Sequence, residues 1–278
     1  MKPKVIITGA GGFLGSVFMR VFQARNWETQ SWTRSGAGVH GYRFVLGEDV
    51  PASSLDGVEA LIHCAHDFQL TQWSEAREIN SLGAQKLFMA AQAAKVSRLV
   101  FISTMSAFPG CVSMYGNLKL EVERFCLSRG IFCVRPGLLW SSEPRGMYQR
   151  LSRMVGRLPV LPLFGGGRQK LAFSHAEDLA AGLETFCRGE DPPPAEAIVT
   201  AFPQLFSFRE ILETLARLQS KNPRFLPLPV WPVLSGLRLA EFLHLPVPFK
   251  SDSLISLLHQ DPNPVFSRRI PMREWPGA

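Results

Sequence analysis

The sequence predicts an α/β chain: a doubly wound parallel sheet followed by a smaller, mostly helical C-terminal lobe. Three observations predict it. Short apolar runs alternate with helix-length segments through the first half of the chain, the pattern of βαβ units. Several runs, such as Val-Ile-Ile at 5–7 and Leu-Val-Phe-Ile at 99–102, are apolar at successive residues and not at every second one, as strands covered on both faces require. A glycine-rich turn at residues 8–15 joins the first run to the first helix.

Residues 5–8 read as a buried strand, 13–24 as a helix and 28–33 as a second strand. Residues 60–64 form a third strand, with Leu61, Ile62 and Cys64 apolar, and 79–94 a long amphipathic helix. The run Leu-Val-Phe-Ile-Ser at 99–103 is a fourth strand, 115–127 a helix and 131–135 a fifth strand. After Pro136 the pattern loosens. Gly165-Gly166-Gly167 is a turn, 177–186 a helix, Asp191-Pro192-Pro193-Pro194 a loop, and 197–201 one more strand rejoining the sheet. From Ser207 onward the chain reads as helical and Pro-rich.

Composition narrows the function. With 46% apolar and 19% charged residues over 278 positions, the chain can build a sizeable core and is not mainly disordered. Thirty Lys+Arg against 23 Asp+Glu give a net charge of +7. The positive charges are scattered, however, and the Arg268-Arg269 pair is the nearest thing to a run. A nucleic-acid binder, which rests on net charge alone, is set aside for want of a clustered basic face. The five cysteines (Cys64, Cys111, Cys126, Cys133, Cys187) show no zinc-type spacing, so no metal is expected and free thiols in a reducing compartment are. Only three apolar residues follow Met1-Lys2-Pro3-Lys4 before Thr8-Gly9, too few for a signal-peptide core. The most apolar late stretch, 225–247, is interrupted by Pro227, Pro229, Pro232 and Pro246 and carries Arg238 and Glu241, which argues against a spanning helix. The expectation is a soluble, cytoplasmic protein whose partner is a small molecule. Neither nucleic acid nor membrane is expected as a partner; a homodimer is compatible with the reading.

The turn Thr8-Gly9-Ala10-Gly11-Gly12-Phe13-Leu14-Gly15 carries the first chemical argument. Gly9 allows the tight turn, Gly12 lets backbone approach a pyrophosphate, and Gly15 lets the helix pack on the sheet. The pyrophosphate then meets the free N–H groups and positive end of the helix. This makes the sheet Rossmann-type. Residues 1–145 are read as the dinucleotide-binding core, to which 172–202 returns, and 146–171 with 203–278 as the substrate lobe. The second strand ends Trp32-Thr33-Arg34. An acid there would hold the ribose 2′-hydroxyl of NAD; instead Arg34 can pair with a 2′-phosphate, with no carboxylate to repel it. NADP is therefore favoured and NAD remains open.

Tyr115 and Lys119 stand at i and i+4, on one face of a helix. An ammonium near a phenol stabilises the phenolate and lowers its pKa from about 10, so Tyr115 can exchange a proton with a substrate hydroxyl or carbonyl. Ser103, Thr104 and Ser106 end the fourth strand, where open α/β sheets bind ligands. Thr104 is the first choice to hold the substrate oxygen, with Ser103 and Ser106 behind it. His175, His244 and His259 are lone histidines, read as surface or helix-lining groups.

Taken together, these motifs resemble the extended short-chain dehydrogenase/reductase superfamily, specifically the NAD-dependent epimerase/dehydratase family, from about Lys4 to Phe206. Thr8–Gly15 resembles its T-G-x-x-G-x-x-G. Ile62-His63-Cys64-Ala65-His66 resembles its apolar segment beside the cofactor, with His66 in place of a usual Ala. Asn80-Ser81-Leu82-Gly83 resembles its Asn-x-x-Gly helix start. Ile102-Ser103-Thr104, Tyr115 with Lys119, Arg135-Pro136-Gly137, and Asp178-Leu179-Ala180 match further motifs in order. The resemblance implies a cofactor set of Gly9, Gly12, Phe13, Leu14, Gly15, Thr33, Arg34, Cys64, Ala65, Asn80, Ser103, Tyr115, Lys119, Pro136 and Gly137. It implies a catalytic set of Tyr115, Lys119 and Thr104, Lys119 also gripping the nicotinamide ribose.

The implied activity is NAD(P)-dependent: an oxidoreductase or an epimerase/dehydratase acting on a carbonyl or hydroxyl carbon, with a nucleotide sugar among the candidate substrates. Three departures bear on it. The second-strand acid is Thr33, the gap from Thr104 to Tyr115 is short, and Leu171 stands where nucleotide-sugar members often carry Arg, with Arg168 and Lys170 nearby. The competing reading is a non-catalytic NAD(P) sensor of the same fold; Tyr115 and Lys119 argue against it, because a sensor has no need of them.

Overall fold

A computed structural model describes residues 2–143, 145–243, 245, 247 and 250–277. His244 and Pro246 lie outside the described residues. β1 (Lys4–Thr8) is buried over its last four residues and leads through the glycine turn into α1 (Phe13–Ala24). β2 (Glu28–Thr33), β3 (Tyr42–Arg43) and β4 (Ala60–His63) follow, then α2 (Trp73–Ala76), a π-helical segment (Arg77–Leu82) and α3 (Gly83–Ala93). β5 (Arg98–Ile102), α4 (Met114–Leu127) and β6 (Phe132–Pro136) complete the first half.

The central sheet has seven strands in the order β11-β6-β5-β4-β1-β2-β3, where β11 (Ile198–Thr200) returns from the second half to pair with β6, as expected from 197–201. Every neighbouring pair is parallel. Strand order turns back at β1, which is flanked by β2 on one side and β4 on the other. That switch point opens the crevice where such sheets bind ligands. Strand alternation divides the core between the two faces. Val5 and Ile7 pack with Phe18, Phe22, Leu179 and Leu183, while Ile6 packs with Leu87, Phe88, Val122 and Cys126.

The second half runs β7 (Leu138–Trp140), α5 (Gly146–Arg157), β8 (Val160–Phe164), β9 (Lys170–Leu171), β10 (Phe173–His175), α6 (Ala176–Arg188), then, after β11, β12 (Phe206–Ser207), α7 (Phe208–Leu218), β13 (Arg224–Leu228), α8 (Val230–Phe242) and α9 (Ser251–Leu258). α6 packs beside α1 on the central sheet. α5, α7 and β8 enclose a separate core with Leu151, Leu163, Ile211 and Trp275, the Trp275 indole stacked 4.2 Å from the Phe173 ring. The tail then returns to the half that holds the central sheet. Ile270 enters the α1/α6 core, Ser267 donates its N–H to Val199, and Arg273 forks onto Asp178 at 2.7–3.1 Å.

Two differences from the sequence reading have local causes. β3 spans two residues, too short to show a period, and forms because Tyr42 stacks on Trp32 at 4.5 Å. The expected helix at 79–94 is instead a π-helical segment leading into α3. Gly83 begins α3 against the Gly47 backbone, where a Cβ would come within 2.6 Å of the Gly47 nitrogen. The widened turn carries Asn80 onto the backbone of Asp67. Among the described residues no helix is long and apolar enough to cross a membrane.

Candidate active site

The site gathers at the C-terminal ends of the parallel strands, with α1, the π-helical segment and α4 adding residues beside them. At the end of β1, the Gly9 backbone has φ +66°, and a Cβ there would fall 2.9 Å from the Ala65 nitrogen. A Cβ on Gly15 would fall 2.3 Å from the Gly9 oxygen and 2.8 Å from the Ala10 Cα. Only glycine fits at either position. The first turn of α1 has no side-chain cap and no acidic residue, which leaves its positive end free for an anion. Thr8 Oγ1 accepts N–H groups from Cys64 (3.2 Å) and Ala65 (3.3 Å) and lies 2.8 Å from His63 Nδ1. Burial drives His63 down to about 3, with Lys119 adding to the shift, so the ring is neutral and its Nδ1 accepts from the Thr8 hydroxyl. These bonds tie the β1 turn to the end of β4.

At the end of β2, Thr33 Oγ1 donates to the Ala37 carbonyl at 3.2 Å, and exposed Arg34 pairs with Asp67 at 2.6 Å. The expectation that no carboxylate stands near Arg34 is therefore corrected. Asp67 comes from the loop after β4, which the turn at the switch point brings across to β2. Asp67 is fixed in place: Oδ1 accepts the Gln69 N–H at 2.9 Å, its own N–H donates to Asn80 Oδ1 at 2.6 Å, and its carbonyl accepts Asn80 Nδ2 at 3.1 Å.

α4 carries Tyr115 and Lys119. Ser113 caps it, its Oγ accepting the Gly116 N–H at 3.0 Å. Lys119 Nζ donates to the Ile102 carbonyl at 2.8 Å and lies 4.6 Å from the Phe101 ring centre and 5.9 Å from that of Tyr115. Burial lowers Lys119 to about 8. Burial also pushes the Tyr115 phenol up to about 12, against the pull of its hydrogen bond with Thr104. The expected lowering of Tyr115 by Lys119 is thus absent in the protein alone, because the ammonium is committed to the Ile102 carbonyl and the half-buried phenol is desolvated among apolar neighbours.

His66 meets the Tyr115 ring edge-on at 4.9 Å and Phe68 lies 5.4 Å away; burial holds His66 well below its usual range. Cys64, beside them, is pushed up to about 12 by burial. The three hydroxyls of the β5 end separate by role. Thr104 bonds Tyr115 and accepts the Ser106 N–H at 3.2 Å. Ser106 is engaged by Ser256 (2.8 Å) and Gln260 (3.0 Å) from the lobe. Ser103 Oγ is buried with no hydrogen-bond partner among the described residues. At the end of β6, Gly137 donates to Ser174 Oγ at 2.8 Å, and a Cβ there would strike the Ala172 oxygen at 2.3 Å. Behind it, Arg135 forks onto buried Glu123 at 2.8 and 2.5 Å.

All sixteen residues proposed from sequence line a single cavity of about 1000 Å³. Sequence reasoning missed Asp67, Phe68 and Asp252, which line it too. A carboxylate shortly after a strand end could have flagged Asp67. Asp252 lies more than a hundred residues from the helix it touches, and no local pattern announces it. The glycine cradle, the uncapped helix start and the unpartnered Ser103 hydroxyl fit a dinucleotide. No cluster of potential metal ligands exists among the described residues.

Comparison with known proteins bears on the same segment: the family model described as "NAD dependent epimerase/dehydratase family" matches residues 5–199. The chain belongs to that family. This family member is accordingly an enzyme of the extended short-chain dehydrogenase/reductase type. It is 27% identical to a ceramide reductase of Caulobacter vibrioides, over 94% of this chain and 86% of that protein. It is 24% identical to a 3β-hydroxysteroid dehydrogenase/Δ5→4-isomerase of Mycobacterium tuberculosis, over 93% and 82%. Among solved structures it is similar to MoeE5 in complex with UDP-glucuronic acid and NAD, with TM-score 0.70, 21% identity and coverage of 82% and 85%.

Proposed function

We propose that this enzyme reduces or oxidises a carbonyl or hydroxyl carbon of a small, largely apolar molecule, with Tyr115 as the proton donor and acceptor. The observation that carries the reading is the grouping of Tyr115, Thr104 and Lys119 in the cavity that the glycine cradle also lines. When bound, the nicotinamide supplies or takes up hydride at its C4. Tyr115, protonated well past neutral pH, donates its proton to the substrate oxygen in the reducing direction and recovers one in the reverse. Thr104 orients that phenol, and Lys119 supplies the charge that stabilises its anion. Gly9, Gly12, Phe13, Leu14 and Gly15 would hold the pyrophosphate, Thr33 and Arg34 the adenosine ribose, Cys64, Ala65 and Asn80 the middle of the cofactor, and Ser103, Pro136 and Gly137 the nicotinamide end. Residues 1–145 with 172–202 serve as the cofactor half, and 146–171 with 203–278 as the substrate half. NADP is favoured over NAD through Arg34, whose guanidinium must leave Asp67, 2.6 Å away, to meet a 2′-phosphate. A reducing, cytoplasmic setting is supported by five cysteines that are all free.

An apolar substrate is supported by the side walls, which include Phe68, Leu70, Val112, Met147 and Leu257, and by Leu171, which is buried in the lobe core. Two relatives named for ceramide and steroid chemistry agree. A second reading, a nucleotide sugar, is favoured by Arg238 and Lys250, which also line the cavity and offer charge for a diphosphate. Incubating the enzyme with reduced cofactor and, in turn, long-chain ketones, 3-ketosteroids and UDP-sugars separates the two. Cofactor oxidation with the apolar ketones is expected. Conversion of UDP-sugars alone would replace the first reading with the second.

A further inference from the structure

α8 is built outside in. Among the described residues it contributes none to the buried core. Trp231, Leu239 and Phe242 are 74%, 59% and 78% exposed. Their spacing of eight and three residues places them on one face, and that face points to solvent. Leu243 and Leu245, just beyond, are also exposed, as is Leu226 on β13, the strand leading into the helix. Soluble surfaces rarely gather large apolar side chains in this way without a partner.

The charge around the face points to one partner. Residues 221–250 hold four basic side chains (Lys221, Arg224, Arg238, Lys250) and one acid, Glu241. The Glu241 carboxylate is turned inward, accepting the N–H (2.5 Å) and hydroxyl (2.7 Å) of Ser251. Lys221, Arg224 and Arg238 are exposed. An apolar face with Trp and Phe, bordered by Lys and Arg, is the composition of a helix that lies in a lipid interface. Each basic residue near an anionic surface adds attraction.

We propose that α8 docks this enzyme on an anionic phospholipid surface. The contact lies beside the active-site cavity, which Arg238 and Glu241 of the same helix line. An apolar substrate dissolved in the bilayer would then reach Tyr115 without crossing water. The contact is with a surface and is no span, and it runs against the expectation, drawn from the lack of a spanning segment, that the chain has no membrane partner. The docking stands on the outer face alone, so it fails or holds independently of the substrate reading.

The test is co-sedimentation of the full chain with phosphatidylcholine vesicles and with mixed phosphatidylcholine–phosphatidylglycerol vesicles, at low and high salt, beside its oligomeric state in solution. Wild type should pellet with the mixed vesicles, less so at high salt. Trp231→Ser with Phe242→Ser should cut that binding about tenfold or more while circular dichroism and cofactor affinity stay unchanged. Lys221→Glu with Arg224→Glu should remove the preference for the anionic vesicles. Wild type that stays in the supernatant with both vesicles overturns the proposal. So does a Trp231/Phe242 variant that binds as well as wild type. A wild-type dimer that the aromatic pair of substitutions splits, with no vesicle binding, would show instead that a second copy covers the face.

Discussion

Asp252 holds the helix that presents Tyr115. Its two carboxylate oxygens accept the backbone N–H groups of Met114 (2.6 Å) and Tyr115 (2.9 Å), and Asp252 itself stands in the first turn of α9. A carboxylate on the first amides of a helix satisfies groups with no partner inside it and meets the positive end of the dipole. The C-terminal lobe thereby sets the position of a phenol carried by a helix of the central-sheet half.

Asp252→Ala should lower stability by about 1 kcal/mol, the usual loss for a helix-start acceptor, read as a small fall in Tm. It should also lower kcat about tenfold while leaving cofactor affinity unchanged, and Asp252→Asn should recover part of both. A variant with wild-type kcat would show the contact to be only a tether.

Tyr115→Phe removes the proton and leaves the ring packing. Turnover should fall by about 10²–10⁴, the contribution of a positioned acid, with cofactor binding retained in a fluorescence titration. Full activity on a confirmed substrate would exclude Tyr115 and turn attention to His66, whose ring touches it. Cofactor binding by wild type, without turnover of any compound class, would revive the sensor reading.

Lys119 makes stability depend on pH in a defined direction. Its folded value is about 8 against an ordinary 10.5, so between those values the unfolded chain binds the extra proton and stability rises with pH. The gain should reach at most about 3 kcal/mol between pH 7 and 10. Denaturant titrations at the two ends should show it in wild type and not in Lys119→Met. From about pH 9 the Cys64 thiol, held up at about 12, opposes the rise, and above pH 10 the Tyr115 phenol, also at about 12, adds to that opposition, because in each case the folded state keeps a proton that the unfolded chain loses.

On the proposed reading, the Arg34–Asp67 pair governs cofactor preference. Wild type should bind NADP more tightly than NAD. Arg34→Ala should lose tenfold or more for NADP and little for NAD, as expected for a charge-assisted pair worth about 1.5–3 kcal/mol. Asp67→Asn should free the guanidinium and strengthen NADP binding. Equal affinity of wild type for both cofactors would remove Arg34 from this role.

The sheet was legible chiefly from strands that are unbroken apolar runs, as in β1 and β5, and the glycine turn because its spacing is local: Gly9, Gly12 and Gly15 read directly as a strand-to-helix turn. Tyr115 and Lys119 were legible for the same reason, one helical turn apart. What stayed hidden depends on distance in sequence. Asp67 reaches Arg34 from another strand, Asp252 reaches Tyr115 from another lobe, and no periodicity records either. The Tyr115 proton affinity was misread because a neighbouring charge is visible in a sequence while the enclosure that outweighs it is not. The π-helical segment escaped because apolar spacing does not distinguish a widened turn from a regular one.

The return of Ile270 and Arg273 to the central-sheet half bears on modularity. A chain cut after residue 202 would lose the side chain that fills the groove over Gly182, where Ile270 Cγ2 sits 2.4 Å from the position of a Cβ, and would leave Asp178 without its Arg273 fork. The first half is thus stitched shut by the last residues of the second. Grafting a foreign lobe onto this scaffold, a natural route to new specificity, must therefore carry that closing thread across along with the pocket.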